Sequence, residues 1–430
     1  MQFYRFVPAL VVAAATAACA PQTPIATPGP VEGNSFVVRD VRVFDGTRTL
    51  ERVHVVVREG RIEHVGRGRL PRELPVIDGT GLTLLPGLIN AHGHVSSEAG
   101  LRDALRFGVT TVLDMLTAPE FARSQRSRRE QLVRTDLADM YSAGAPATSP
   151  GGMATQFGIP FTTISGPEEA DAFVRGRIAD GSDYIKIMHE PDAGIVSSIS
   201  RETLAAVVRA ARAHGVLAVV HVSSVRGARD AVAAGANGLA HLFSDTILDD
   251  ELAREMARRG MFVTTTLSIY SGFNNTGFGR TLAADPRVAP YLTEKQRTGL
   301  TQPGPGPDYP MAPYLTRFQL QRALENVSRL RAGGVRILAG DDAPNLGAHG
   351  ASLHGELELL TRGGLTPAEA LAAATREPAE AFRLNDRGRI EIGARADLLL
   401  VDGNLLQDIT TTRAIVRVFK NGFEVPRAQQ

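Results

Sequence analysis

The chain holds ten histidines, and four of them fall where they could share one task. His92 and His94 bracket a glycine in LLPGLINAHGHV. Side chains two apart on a strand point the same way, so both imidazoles can face one metal ion, and Gly93 leaves room for close approach. His221 closes VLAVVH, and His241 sits in the short apolar segment GLAHLF. Taken singly, each reads as a satisfied core histidine; their common placement at the ends of apolar runs favours a ligand set. Lys186, in YIKIM, is a different kind of signal. Lysine occurs three times, at Lys186, Lys295 and Lys420, so 47 − 3 = 44 of the basic residues are arginine. A free ammonium inside an apolar strand is costly without a partner. Burial and nearby positive charge push the amine towards neutrality. A neutral amine can add to carbon dioxide, and the resulting carbamate is anionic, bidentate and long enough to bridge two metal ions. A guanidinium cannot do this. The plainer alternative pairs Lys186 with Glu190 or Asp183. The last candidates are Asp341 and Asp342 in VRILAGDDAP. A carboxylate there can bind a metal, take a proton from water and pass it to a leaving group. Strand alternation does not choose between the two, because a barrel strand is buried on both faces.

These residues need a scaffold that brings strand ends together. Eight strand candidates are legible, at 84–92, 109–114, 137–144, 184–188, 216–221, 237–243, 262–267 and 335–341. Helical periodicity separates most of them, as in 201–215, 225–235 and 317–334, and several of these stretches end at glycine. The alternation predicts an α/β fold, a (β/α)8 TIM barrel over 87–382 with chemistry on the loops that follow the strands. A doubly wound open sheet is the rival architecture. Residues 35–86 and 383–426 share a texture of β-branched residues alternating with charges, which predicts a small β-sandwich domain built from both chain ends. Two connections, 145–165 and 268–315, are long enough to be lids or binding loops on the active face.

Residues 1–19 read as an export signal: a basic start at Arg5 and an apolar run over 6–18, too short to span a membrane. Thr16-Ala17-Ala18-Cys19 resembles a bacterial lipobox with threonine in place of the usual leucine. The expectation is a periplasmic or outer-membrane-anchored lipoprotein, lipidated at Cys19; simple cleavage after Ala17 is the alternative. Residues 20–34 have the Pro/Thr-rich composition of a tether. Cys19 is the one cysteine, so an intrachain disulfide and a cysteine-rich metal site are excluded. Basic and acidic groups nearly cancel, 47 against 46, so no global field invites nucleic acid. Apolar residues at 43% and charged residues at 22% make an ordinary globular balance, which excludes disorder as the main state.

With these residues in hand, the chain resembles the metal-dependent amidohydrolase superfamily, in its imidazolonepropionase/prolidase-like branch. The resemblance runs over about residues 36–425 and is carried by IDGTGLTLLPGLINAHGHV at the start and TPAEALAAATREPAEAFRLNDRGRIEIGARADLLLVD at the end. It implies that His92 and His94 hold the more buried metal, that Lys186 is carbamylated and bridges, and that His221 and His241 hold the second metal. The family's closing Gly-Ser/Thr-Asp maps onto Gly340-Asp341-Asp342. Asp342 is then ligand and catalytic proton carrier; Asp341 stands where a small hydroxyl residue is usual and remains the alternative. Five ligands plus a carbamate exceed one tetrahedral zinc but suit two divalent ions ~3.5–4 Å apart with hydroxide between them as nucleophile. Zinc is the default metal.

The chain contains no G-x-S-x-G, S-x-x-K or G-x-x-x-x-G-K motif, which removes support for a serine acyl-enzyme or a nucleotide hydrolase. Arg226 could receive a substrate carboxylate, His349 or Tyr270 could line the pocket, and each also reads as an ordinary structural residue; His189 and His354 are weaker candidates. The expected function is binuclear hydrolysis of an amide bond in a small molecule, a dipeptide or N-acyl amino acid. The alternatives are a mononuclear-type deaminase or cyclic amide hydrolase, and a non-enzymatic binding lipoprotein. Assembly into a homo-oligomer is left open.

Overall fold

The computed structural model describes residues 31–158 and 160–428. The leader at 1–19 with Cys19, and most of the 20–34 tether, lie outside the described residues. Among those described, no helix is long and apolar enough to cross a membrane.

Both chain ends contribute to one eight-stranded sheet. Phe36–Phe44, Thr49–Arg58, Arg61–Gly66, Val76–Asp78 and Leu82–Pro86 come from one end; Leu398–Asp402, Ile415–Lys420 and Phe423–Val425 come from the other. Leu82–Pro86 joins the two sets, running parallel to Phe36–Phe44 and antiparallel to Leu398–Asp402. Strand alternation sorts its neighbours. Leu82, Leu84, Leu398 and Leu400 enter the small domain's own core, whereas Leu85, Leu399 and Val401 join the core of the barrel.

The barrel strands form two parallel arcs in chain order. Leu88–Gly93, Val109–Asp114 and Asp139–Ser142 make one; Ile185–Met188, Ala218–His221, Gly238–Ala240, Phe262–Thr264 and Arg336–Leu338 make the other. Backbone hydrogen bonds bridge both seams. Asp183 N–H donates to Ser142 O and Ala147 N–H to Lys186 O, each at 2.8 Å, while on the far side Ala91 N–H donates to Ala339 O at 2.9 Å and Asp342 N–H to His92 O at 2.8 Å. Ile89, Ala91, Leu113, Val219, Ala240 and Leu338 fill the interior above Phe262 and Phe382, so the barrel is a packed core rather than a pore.

Two sequence expectations need correction. Residues 84–92 are not one strand. The chain turns at Gly87, whose N–H donates to Asp397 O at 2.8 Å and whose position would bring a Cβ within 2.3 Å of Thr110. The stretch before it belongs to the small domain, and the stretch after it to the barrel. The 268–315 connection is not a loop either. It carries helices Leu267–Phe273, Phe278–Ala284, Glu294–Thr301 and Ala312–Leu315.

At the base of the barrel, opposite the strand ends that carry chemistry, a buried ionic knot ties the two parts together. Arg387 Nη1 at 2.7 Å, Arg395 Nη1 at 3.1 Å and Lys420 Nζ at 2.7 Å all reach Asp139 Oδ2, and Lys420 also reaches Asp397 Oδ2 at 2.6 Å. Burial alone would raise the Asp139 pKa, but Lys420, Arg387 and Arg395 hold it below its ordinary value. Asp139→Asn would strand buried cations, so we expect a loss of about 3–5 kcal/mol in denaturant unfolding. The knot's contribution is complete above the ordinary carboxylate pKa and fades as pH falls through the lower folded value. The variant should therefore lose less stability on acidification than the parent. Equal unfolding midpoints at neutral pH would show that the knot contributes nothing.

Candidate metal centre and active-site cleft

Local backbone geometry aims each candidate ligand at the barrel mouth. His92 ends the strand Leu88–Gly93, where a pairing irregularity between Asn90 and Gly93 re-aims the side chains that follow Ile89 and Ala91. Ile185 and Ile187 pack outward, which leaves Lys186 pointing inward. His221 shares the inward side of Val219. His241 and Asp342 lie just past their strands at φ +71° and +57°. Positive φ is uncommon outside glycine and is found at sites where a side chain must be presented.

The six side chains converge. His94 Nε2 is 2.9 Å and His92 Nε2 3.1 Å from the same Oδ1 of Asp342. One ligand atom from each of these three residues lies within 4.8 Å of the others. The His241 ring sits 4.5 Å from that of His92 and 4.6 Å from that of His221. All six candidates, Lys186 included, line one cavity of about 310 Å³.

The charges suit cation binding. Burial, helped by the charge of Lys186, lowers the His92 pKa to about 3; burial and the neighbouring imidazoles hold His241 well below its ordinary value. Neutral imidazole is the metal-binding form. Burial would raise the Asp342 pKa, but His92 and His94 outweigh it and keep this carboxylate ionised. Lys186 is 2% exposed, and among the described residues nothing forms a hydrogen bond or ion pair with its Nζ. Burial brings its pKa to about 7 against the opposing charges of Asp342 and Asp114. The salt-bridge alternative fails, since Glu190 Oε1 contacts His221 Nε2 at 2.9 Å and Asp183 holds Arg129 at 2.6 Å. Lys420 makes the contrast plain, being fully buried but held between two carboxylates. Four imidazoles, an ionised carboxylate and an unpartnered amine are a donor set that fits divalent metal.

Neighbours orient this set. Asp341 turns away from the histidines: its Oδ1 accepts from Asn90 Nδ2 at 2.7 Å and Ala343 N–H at 2.9 Å, and burial raises its pKa to about 7. Asn90 Oδ1 in turn accepts from His92 N–H at 3.1 Å. Asp342 Oδ2 accepts from Asn345 Nδ2 at 3.2 Å. His241 Nδ1 pairs with Thr266 Oγ1 at 2.7 Å, which leaves Nε2 facing the centre. Partners of this kind fix the ring and its tautomer, so Thr266→Val should weaken metal binding by roughly 10–100-fold in a chelator titration, and Thr266→Ser should not. Equal affinities for all three proteins would remove this role.

Tyr314 escaped the sequence reading, and Glu190 entered it only as a salt-bridge partner for Lys186. Both are buried beside His221, with the Tyr314 hydroxyl 3.0 Å from His221 Nε2 and donating to Glu190 Oε1 at 3.1 Å. No local motif marks Tyr314, which comes from 93 residues further along the chain. The minor candidates are structural. Tyr270 is buried and donates to Leu242 O. His354 bridges Thr412 and Phe107 O, and His189 pairs with Asp230. His349 packs beside Gly100, and Arg226 holds Asp192 at the surface.

A second cavity of about 350 Å³ shares His221, His241 and Asp342 and extends the cleft to Ile269, Phe273, Met311, Leu315 and Phe318. Pro146, Met153 and Ala154 of the 145–165 connection form the opposing wall. Both long connections therefore enclose the site.

Comparison with known proteins agrees with this architecture. Allantoinase of Escherichia coli O1:K1 is 33% identical over 89 residues, a match spanning 18% of this chain and only 19% of that enzyme. A solved Xaa-Pro dipeptidase with bound methionine is 22% identical, covering 91% of this chain and 99% of its own at a TM-score of 0.73. A prolidase complexed with N-methylphosphonate-L-proline is 23% identical, covering 91% and 100% at a TM-score of 0.72. Residues 83–425 match the amidohydrolase family as a whole, and the chain belongs to that family.

Proposed function

We propose that the protein hydrolyses an amide bond of a small substrate with two divalent cations, zinc by default. His92, His94, His221, His241, Asp342 and a carbamate on Lys186 would hold them. The observation that carries this reading is the amine of Lys186, buried and unpaired beside four imidazoles. Bound there, the cations would polarise the scissile carbonyl and make water nucleophilic near neutral pH.

The chain's own groups supply the rest. The neutral amine of Lys186 adds to carbon dioxide, forms an N–C bond and releases one proton to solvent. The anionic product would compensate cationic charge that imidazole ligands, binding as neutral donors, leave unbalanced. Asp342 engages both imidazoles through Oδ1, so Oδ2 is the oxygen that takes the proton of the attacking water and returns it to the departing nitrogen. Thr266 holds His241 in register, and the apolar walls exclude bulk water from the scissile bond. The Xaa-Pro dipeptidase and the prolidase of similar fold support a dipeptide as substrate, and an N-acyl amino acid offers the same kind of amide. A one-metal deaminase would leave Lys186 without a task.

Metal analysis of pure protein tests the reading, together with amine release from a panel of dipeptides, N-acyl amino acids and cyclic imides. Two metals per chain and a free amine product are expected. Full activity with one metal per chain would overturn the binuclear centre, and no turnover of any amide would overturn the reaction.

A further inference from the structure

Glu190 carries a buried carboxylate that, among the described residues, no lysine or arginine pairs with. It lies two residues past the strand Ile185–Met188. The register of that strand with Ala218–His221 sets Met188 opposite His221, which brings Glu190 to the His221 ring. His189 N–H donates to His221 O at 3.2 Å and Glu190 N–H to Ser198 Oγ at 2.9 Å, so the backbone of this turn is fixed. Donors crowd the carboxylate. The Tyr314 hydroxyl reaches Oε1 at 3.1 Å, the Ser223 hydroxyl reaches Oε2, and His221 Nε2 lies 2.9 Å from Oε1. Tyr314 and His221 line the cleft, whereas Glu190 stands behind them and is not part of its wall. Glu190 therefore meets the centre through His221.

A carboxylate buried without a cation is costly. His221 cannot supply the charge while it serves as a ligand, because imidazole binds metal in its neutral form. A divalent ion on the other side of the ring would supply it. We infer that Glu190 is the positioning residue of His221: it accepts the Nε2 proton, fixes the orientation and tautomer of the ring, and leaves Nδ1 as the donor to a cation. A carboxylate behind a metal-binding histidine acts in this way, and its loss lowers metal affinity. His241 is held from the opposite nitrogen, with Nδ1 against Thr266 Oγ1 at 2.7 Å. The two imidazoles of the second pair would thus meet their cation through different nitrogens, and only His221 has an anionic partner behind it. The inference rests on the two-cation reading and adds a residue to it.

Zinc is withdrawn from the loaded full-length protein with a chromophoric chelator, for the parent, Glu190→Ala and Glu190→Gln. Glu190→Ala should hold one cation roughly 10–100-fold more weakly than the parent and the other within a few-fold. Glu190→Gln should fall between the two, because its amide oxygen still accepts from Nε2. Equal zinc affinities in the parent and Glu190→Ala overturn the inference. So does a Glu190→Gln variant as weak as Glu190→Ala, the behaviour of a residue that binds the cation itself. A second readout needs neither cation nor turnover. Nitrogen NMR of histidine-labelled, metal-free parent protein at about pH 9, where imidazole is ordinarily neutral, should find the ring proton of His221 on Nε2. Glu190→Ala should redistribute it between the two nitrogens. A proton on Nδ1 in the parent overturns the inference. If the parent binds fewer than two cations, the binuclear reading falls, yet a proton held on Nε2 by Glu190 still supports the inference.

Discussion

Lys186→Ala should lower kcat/KM by on the order of 10³-fold or more and reduce bound metal from two per chain towards one or none. Loss of a bridging anion removes Lewis-acid and water-activating effects that together contribute several kcal/mol, and each ~1.4 kcal/mol is a tenfold change in rate. The amine sits between Ile185 and Ile187 with no partner, so truncation to alanine breaks no ion pair and opens only a small void in the cleft wall. The fold should therefore survive, which thermal unfolding can check. Two further readouts isolate the anion. Acetate or propionate, small enough to occupy the vacated space, should restore part of the activity to Lys186→Ala. Lys186→Arg should stay inactive because a guanidinium does not form a carbamate. Two bound metals and normal turnover in Lys186→Ala would end the carbamate assignment.

Asp342→Asn should cut kcat by roughly 10²–10⁴-fold, the range for loss of a positioned proton carrier. Asp341→Asn should cost only a few-fold, because burial raises the Asp341 pKa to about 7 and an amide mimics the protonated acid. The pair is a direct contest between adjacent carboxyls. His92 and His94 both contact Asp342 Oδ1, whereas Asp341 clamps Asn90 and Ala343 from behind. A larger defect in Asp341→Asn than in Asp342→Asn would reverse the assignment.

Much of this arrangement is legible in the sequence, for specific reasons. Seven of the expected barrel strands contain observed ones, since strands buried on both faces read as continuous apolar runs bounded by glycine. The eighth, 84–92, merged two strands because Leu84, Leu85, Leu88 and Ile89 are equally apolar, and the break at Gly87 is imposed by Thr110 and Asp397, distant in sequence. The helices hidden in 268–315 are short and rich in glycine. At Gly279 a Cβ would lie 2.2 Å from Leu300 O, so close packing demanded the residue that suggested a loop. The candidate ligand histidines stand out because strand ends are local features. Glu190 and Tyr314 do not, because their pairing spans 124 residues and no short pattern encodes it. Lys420 shows the limit of composition: a rare buried lysine can equally be the ammonium of a salt-bridged knot, and only its neighbours decide.

The seam between the outermost barrel strands has a consequence for how the protein is made. Asp342 donates its backbone N–H to His92 O, and His94 donates its own to Ala343 O, so the oldest and youngest parts of the barrel share one junction. On the ribosome, His94 emerges 248 residues ahead of the carboxylate it meets. No nascent chain that stops short of residue 342 can complete the cluster. Under the proposed function, cations would be taken up only after some four-fifths of the polypeptide had been made, and a loaded protein would be one whose last βα unit had already been laid against its first.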